Sequence, residues 1–231
     1  MPLISEQNQT LLRDKFAKDL TNKVNITLFT QAESPLTVPG QECMYCKETR
    51  ELLEEIAGLS DKISLRVRDF VADSEEAKQS GVDKIPAIII GDGASRGVRY
   101  FGIPSGYEFA SLIEDIVEVS RGDTELSADI KSQLAKIDQD VHIQVFVTPT
   151  CPYCPGAARV AHQMAIENPH FTSDVIEAME FPHLAQKYRV MAVPKIVIND
   201  KIEFQGSMPA DEFLRQVLQA IPGQAGGASP I

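Results

Sequence analysis

The sequence predicts an α/β protein of two tandem units, each a central mixed four-stranded sheet flanked by helices. Three observations carry this expectation. A strand candidate runs into a Cys-x-x-Cys pair twice: Val24–Thr30 ahead of Cys43-Met44-Tyr45-Cys46, and His142–Thr148 ahead of Cys151-Pro152-Tyr153-Cys154. Downstream, Ile85-Pro86-Ala87-Ile88-Ile89-Ile90 matches Val193-Pro194-Lys195-Ile196-Val197-Ile198, and 43 positions separate the first Cys from the Pro in both copies. Within each copy strands alternate with helices, which argues for layers of helix on sheet.

Each unit reads in the same order. A leading helix comes first, over Glu6–Leu20 with Leu11, Leu12, Phe16 and Leu20 at helical spacing, and over Ala128–Ile137 with Ser127 as N-cap. The first strand and a helix starting at the Cys pair follow. Next come a second strand (Ile63–Phe70; Phe171–Ile176) and a short helix (Ser74–Ser80; Phe181–Tyr188). The strand after each Pro then pairs with a short neighbour, and a last helix (Tyr107–Val119; Ala210–Ala220) closes the unit after a bend at Gly102 or Gly206. Asn199-Asp200 supplies a hairpin turn in the second unit, and Gly91 through Gly97 a longer one in the first. The expected units are residues 1–120 and 121–221, joined around Arg121-Gly122-Asp123-Thr124, with a disordered tail over 222–231.

With 231 residues, 43% hydrophobic and 24% charged, the chain has apolar material for a core in each half. A net charge of −11 argues against nucleic acid and anionic lipid as partners. The start Met1-Pro2-Leu3-Ile4-Ser5 has neither the basic nor the apolar stretch of a secretory signal. The longest apolar run, Ile85 to Ile90, is far below the roughly 20 residues that span a bilayer. A cytoplasmic protein with no membrane contact is the expectation.

Only four cysteines occur, in two tight pairs, and such pairs in an intracellular chain point to metal binding or redox catalysis. At a helix start, free N–H groups and the helix dipole stabilise negative charge. The first Cys is then favoured as thiolate, the attacking species. The second lies about one turn on, placed to displace a mixed disulfide by forming an intramolecular one. Cys43 and Cys151 are therefore the expected nucleophiles, and Cys46 and Cys154 the resolving thiols. Zinc is the rival, but Cys46 and Cys151 stand 105 positions apart and each pair sits inside its own repeat, unlike the close pairs of zinc ribbons. Neither metal nor a bound cofactor is expected.

Cys-Pro-Tyr-Cys after a strand, together with Ala192-Val193-Pro194-Lys195-Ile196-Val197-Ile198, resembles glutaredoxin and thioredoxin-fold proteins. The tandem arrangement resembles the glutaredoxin-like protein disulfide oxidoreductases of thermophilic archaea and bacteria over nearly the whole chain. That resemblance implies two thioredoxin-like folds, cis prolines at Pro86 and Pro194, and contacts to extended substrate from Ile85, Pro86, Val193 and Pro194. It also implies protein disulfides as substrates and a thioredoxin-reductase-like flavoprotein as electron donor. Glu42 and Thr150 stand where thioredoxins carry a Trp, and the strands before the pairs lack the buried acid typical of thioredoxin. A proton acceptor for the resolving Cys is thus unassigned, and the lone Gly206 matches a glutathione site only in part. Two other readings are an electron relay from a flavoprotein reductase to a peroxidase, and a chaperone-like binding module with incidental thiols.

The two sites are expected to differ. Pro152 suits the first helical position and is replaced by Met44 in the first unit, which also inserts residues, Pro35, Pro39 and Gly40 among them, before its pair. Cys151/Cys154 is expected to react faster with protein disulfides, and Pro155 to kink its helix. His142, His162, His170 and His183 are read as surface or packing residues, Lys47, Arg50 and Arg159 as solvated helix charges, and Lys195 as facing solvent. Arg66 and Arg68, alternating with Leu65 and Val67, are read as strand patterning.

Overall fold

A computed structural model describes residues 2–31, 43–91 and 97–221. The insertion carrying Pro35, Pro39 and Gly40, the interior of the Gly91–Gly97 turn, and the expected tail lie outside the described residues.

The order is α1 (Glu6–Asp19), β1 (Val24–Thr30), α2 (Cys46–Ala57), β2 (Ile63–Asp69), α3 (Ser74–Gln79), β3 (Ala87–Ile90), β4 (Val98–Phe101) and α4 (Glu108–Arg121). The second half repeats it: α5 (Ala128–Leu134), β5 (Val141–Val147), α6 (Cys154–Glu167), β6 (Phe171–Glu177), α7 (Pro182–Lys187), β7 (Lys195–Ile198), β8 (Ile202–Gln205) and α8 (Ala210–Ala220). The expected four strands per copy are present, in the orders β2-β1-β3-β4 and β6-β5-β7-β8. The copies do more than stand in tandem. β4 and β6 pair in parallel, so the eight strands form one sheet.

Local chemistry accounts for the elements. Ser5 and Ser127 cap their helices, each Oγ accepting from the amide three residues on. Gly122 ends α4 in the left-handed region, φ 64°. Asn199 and Asp200, φ 51° and 53°, make the two-residue turn between β7 and β8.

Period-two alternation divides the core between the two faces of the sheet. Ile26, Leu28, Tyr100, Ile143 and Val145 belong to one continuous core that also holds Leu112, Ile116, Ala158 and Phe213 of the long helices. Phe29, Phe101, Phe146 and Ile176 point the other way, beneath Ala77 of α3 and Leu184 of α7. Of the expected stripe on α1, Phe16 and Leu20 are buried, whereas Leu11 is exposed. Among the described residues no helix is long and apolar enough to cross a membrane.

Three expectations are corrected. Lys195 is buried, its Nζ donating to Tyr188 O at 2.5 Å and to Glu203 Oε2 at 2.7 Å, because β7 is an interior strand and those acceptors replace water. Helices α2 and α6 begin at the second Cys of each pair, so Pro152 precedes the helix and Pro155 sits in its first turn, where no N–H is needed. Arg159 is no solvated charge: it is mostly buried and paired with Glu118. Lys47 and Arg50 do lie exposed beside Glu51 and Glu54, and Arg66 and Arg68 both pair with Glu76.

Candidate active site

β1 and β5 each run into a short turn and then a helix, and the Cys pairs sit at that junction. Both pairs are closed as disulfides, with Cα atoms 5.5 Å apart in each. Cys43 is half-buried and Cys46 buried; Cys151 is buried and Cys154 fully so. The Cys154 amide donates to Cys151 Sγ at 3.1 Å, the helix-start interaction that favours a thiolate there. In the first half the Cys43 amide donates instead to Gln31 Oε1 at 2.9 Å.

The Ile85-Pro86 and Val193-Pro194 bonds are both cis. Cys151 Sγ lies 3.7 Å from the Val193 carbonyl oxygen, so the residue before Pro194 stands against the sulfur. Pro86 and Pro194 accept equivalent bonds from Gly102 and Gly206, each at 2.9 Å. The pairs are rimmed by exposed apolar side chains. Met44, Tyr45 and Val71 are exposed in the first half, and Tyr153, Met179 and Met191 in the second. Val71 and Met179 are equivalent, each two residues beyond its strand.

The strand directions place both sites at one end of the molecule. β3 is antiparallel to β1 and to β4, β4 is parallel to β6, and β6 is parallel to β5. β1 and β5 therefore point the same way, four strand spacings apart, or roughly 19 Å.

The second site also takes residues from the first half, which sequence reasoning missed. Tyr107, the exposed N-cap of α4, donates its amide to Pro149 O at 3.1 Å, just before Cys151. Gly106, φ 60°, lets the chain pass there, since a Cβ would run into the Pro149 carbonyl. The next residue, Glu108, is 2% exposed, and neither carboxyl oxygen meets a protein hydrogen-bond partner among the described residues. It lines a cavity of about 10 Å³, near the size of one water, with Tyr100, Val147, Pro149 and Glu177. Burial is the main cause that pushes Glu108 up to about 7; the His162 charge opposes it and Asp115 adds to it. Burial raises Glu177 as well, but its Oε2 is engaged by the Glu180 amide at 2.6 Å. A signal for Glu108 exists in the sequence: Glu108, Ser111, Asp115 and Glu118 take core-facing positions on α4 between Leu112 and Ile116.

Of the four histidines, His162 is fully buried against Asp115, while His142 and His170 are partly exposed beside Asp174 and Asp140. No group of three or more metal-ligating side chains occurs among the described residues.

Several comparisons bear on this geometry. The family model for a thioredoxin domain matches residues 141–219. A protein disulfide oxidoreductase from Aeropyrum pernix superposes with a TM-score of 0.82 at 32% identity, over 92% of this chain and 91% of that one. The N-terminal domain of alkylhydroperoxide reductase AhpF from Enterococcus faecalis superposes with a TM-score of 0.81 at 26% identity, over 93% and 99%. Among curated sequences, the alkyl hydroperoxide reductase AhpF of Pseudomonas aeruginosa is 29% identical over 172 residues, which is 74% of this chain. The chain spans about a third of the length of that relative, 31%. Two closed Cys-x-x-Cys pairs, two cis prolines and full-length likeness to the archaeal structure lead to one assignment: the chain belongs to the tandem thioredoxin-fold protein disulfide oxidoreductases.

Proposed function

We propose that the chain catalyses thiol–disulfide exchange on protein disulfides at two Cys-x-x-Cys sites, with Cys151/Cys154 the faster. The observation that carries this reading is the second site: Cys154 N–H on Cys151 Sγ, with the Val193 carbonyl 3.7 Å from the same sulfur. In the reduced enzyme the Cys151 thiolate attacks a substrate disulfide, forming a mixed disulfide and releasing one substrate sulfur as thiolate. Cys154 then gives its proton to Glu108 through a bridging water and attacks Cys151 Sγ. The Cys151–Cys154 bond forms, the mixed disulfide breaks, and the second substrate sulfur leaves. The enzyme pair loses two electrons and the substrate disulfide gains them; the leaving thiolates take up protons from solvent.

Glu108 is preferred to Glu177 as acceptor because both its oxygens are unengaged and it is raised to about 7. Cys43 and Cys46 take the corresponding roles in the first half, with Ile85 and Pro86 as platform, as Val193 and Pro194 are in the second. Exposed Tyr153, Met179 and Met191 suit an apolar polypeptide segment as substrate. The units proposed are residues 1–120 and 121–221, and the setting proposed is the cytoplasm, without bound cofactor. Turnover of insulin with dithiothreitol, compared with a variant carrying Ser at all four cysteines, tests the reading; equal turnover by that variant would sink it and favour a binding module.

The likeness to the alkyl hydroperoxide reductase AhpF favours a second reading, an electron relay between a flavoprotein reductase and a peroxidase. Reduction of the disulfides by a purified thioredoxin-reductase-like flavoprotein with NADPH or NADH, followed by electron delivery to a peroxidase, distinguishes it.

A further inference from the structure

Helices α4 and α6 carry a row of polar side chains through the buried seam between the two halves. Glu108, Ser111, Asp115 and Glu118 of α4 all face inward, each at most 3% exposed. Opposite them on α6 stand Arg159, His162 and Gln163. His162 Nδ1 donates to Asp115 Oδ2 at 2.6 Å, and the Tyr100 hydroxyl of β4 donates to the same oxygen. Arg159 and Gln163 both donate to Glu118 Oε1, at 2.7 and 2.8 Å. The Tyr100 ring meets His162 edge-on, with centroids 4.9 Å apart, and Tyr100 also lines the cavity onto which Glu108 opens. The row is thus continuous from Glu108 to Arg159.

Buried carboxylates are costly without a counter-charge. Glu118 has Arg159 and Asp115 has His162, which leaves Glu108 as the carboxyl in the row without a cation of its own. Asp115 lies two helical turns beyond it, roughly 10 Å along the axis. A unit charge at that distance, in an interior of effective dielectric near 20, moves a proton affinity by on the order of one pH unit. That is enough to decide whether Glu108 can take a proton at neutral pH.

We propose that Asp115 and His162 are positioning residues for the exchange reaction: the His162 charge keeps the Glu108 carboxyl available as proton acceptor for Cys154, and Asp115 holds that charge in place. The inference rests on the assignment of Glu108 as acceptor. The groups facing the pair are Tyr100 from β4, Glu108 and Glu118 from α4, and Arg159 from α6, with Glu177 of β6 on the cavity wall. The second active site would then be tuned by a charge pair with one member from each half of the chain.

The test is the pH–rate profile for single-turnover oxidation of the reduced Cys151/Cys154 pair by a disulfide-bonded peptide, in a Cys43→Ser/Cys46→Ser background. His162→Gln leaves Asp115 uncompensated, and the profile midpoint is expected to rise by on the order of one unit, slowing exchange up to tenfold below it. Asp115→Asn is expected to lower the midpoint or leave it in place. The double variant removes both charges and is expected to return to within a few tenths of the parent, as a structural role would not allow. Should the glutamine variant not fold, His162→Asn serves the same arm. An unmoved midpoint in the His162 variant, or a double variant displaced further than the single, overturns the proposal. Glu108→Gln separates the two layers of inference. If it abolishes the titration while His162→Gln moves nothing, only this proposal fails; if it leaves the titration intact, the assignment of Glu108 fails with it.

Discussion

Arg99 of β4 stands directly opposite Asp174 of β6 in the parallel pairing that joins the two halves, with Nε 2.6 Å from Oδ1 and both side chains nearly inaccessible. The guanidinium also donates to Ser80 O at 3.0 Å and Gly81 O at 3.3 Å, and His142 Nε2 approaches the other Asp174 oxygen at 2.8 Å. Burial works to raise Asp174, but the Arg99 charge and the His142 contact outweigh it and hold the carboxyl down at about 2. Arg99→Met would leave a buried carboxylate short of its main counter-charge and cost about 3–5 kcal/mol. Replacing both residues by Leu should cost less than removing Arg99 alone. Urea unfolding of the two single variants and the double variant measures the coupling.

Acid stability follows from the same residue. Because the folded state holds Asp174 below its ordinary value of 3.8, its stabilisation is fully present above about pH 4 and is lost as pH falls toward 2. Glu108 and Glu180 act in the opposite sense. Burial raises both to about 7, so the folded state holds their protons more tightly than the unfolded chain does. Their contribution is present below about pH 4.5 and is lost as pH rises through 7. Thermal melts from pH 4.5 to 8 should therefore show Tm falling, with a smaller fall in Glu180→Gln.

Gly106 offers a local test of how the first half reaches the second site. Gly106→Ala would place a methyl group against the Pro149 carbonyl and force a non-glycine residue to φ 60°. The left-handed conformation alone costs about 1–2 kcal/mol. The variant should lose stability by at least that much and slow exchange at Cys151 more than at Cys43. Equal slowing in the two half-site backgrounds would show that the contact serves only stability.

The strand order separates the nucleophiles. With β1 and β5 roughly 19 Å apart, Cys43 and Cys151 cannot approach the Cα separation below about 7 Å that a disulfide needs. A Cys46→Ser/Cys154→Ser variant under oxidising conditions should form no Cys43–Cys151 bond within one chain, and non-reducing mass spectrometry reads this directly. Electrons would then move between the sites only through a substrate or a second molecule.

Much of the molecule was legible in the sequence. The equal spacing from Cys43 to Pro86 and from Cys151 to Pro194 marked the repeat, and Asn199-Asp200 marked its hairpin. What failed was what depends on a neighbour distant in the chain. Lys195 reads as a surface residue until Glu203 and the Tyr188 carbonyl are brought beside it. The strand before Cys151 has no acid of its own, and nothing local says that Glu108, 43 positions earlier, arrives beneath Pro149. The joining of β4 to β6 was likewise hidden, because four-residue strands carry no mark of which edge they will pair.

Supply of a proton acceptor to the Cys151/Cys154 exchange from the other half of the chain has one most direct test. It is the single-turnover rate of the reduced Cys151/Cys154 pair against pH, in the parent and in Glu108→Gln. The parent should show a titration near pH 7, and Glu108→Gln should lose it and run about a hundredfold slower at neutral pH. A Glu108→Gln enzyme with the parent's rate and profile would contradict that role.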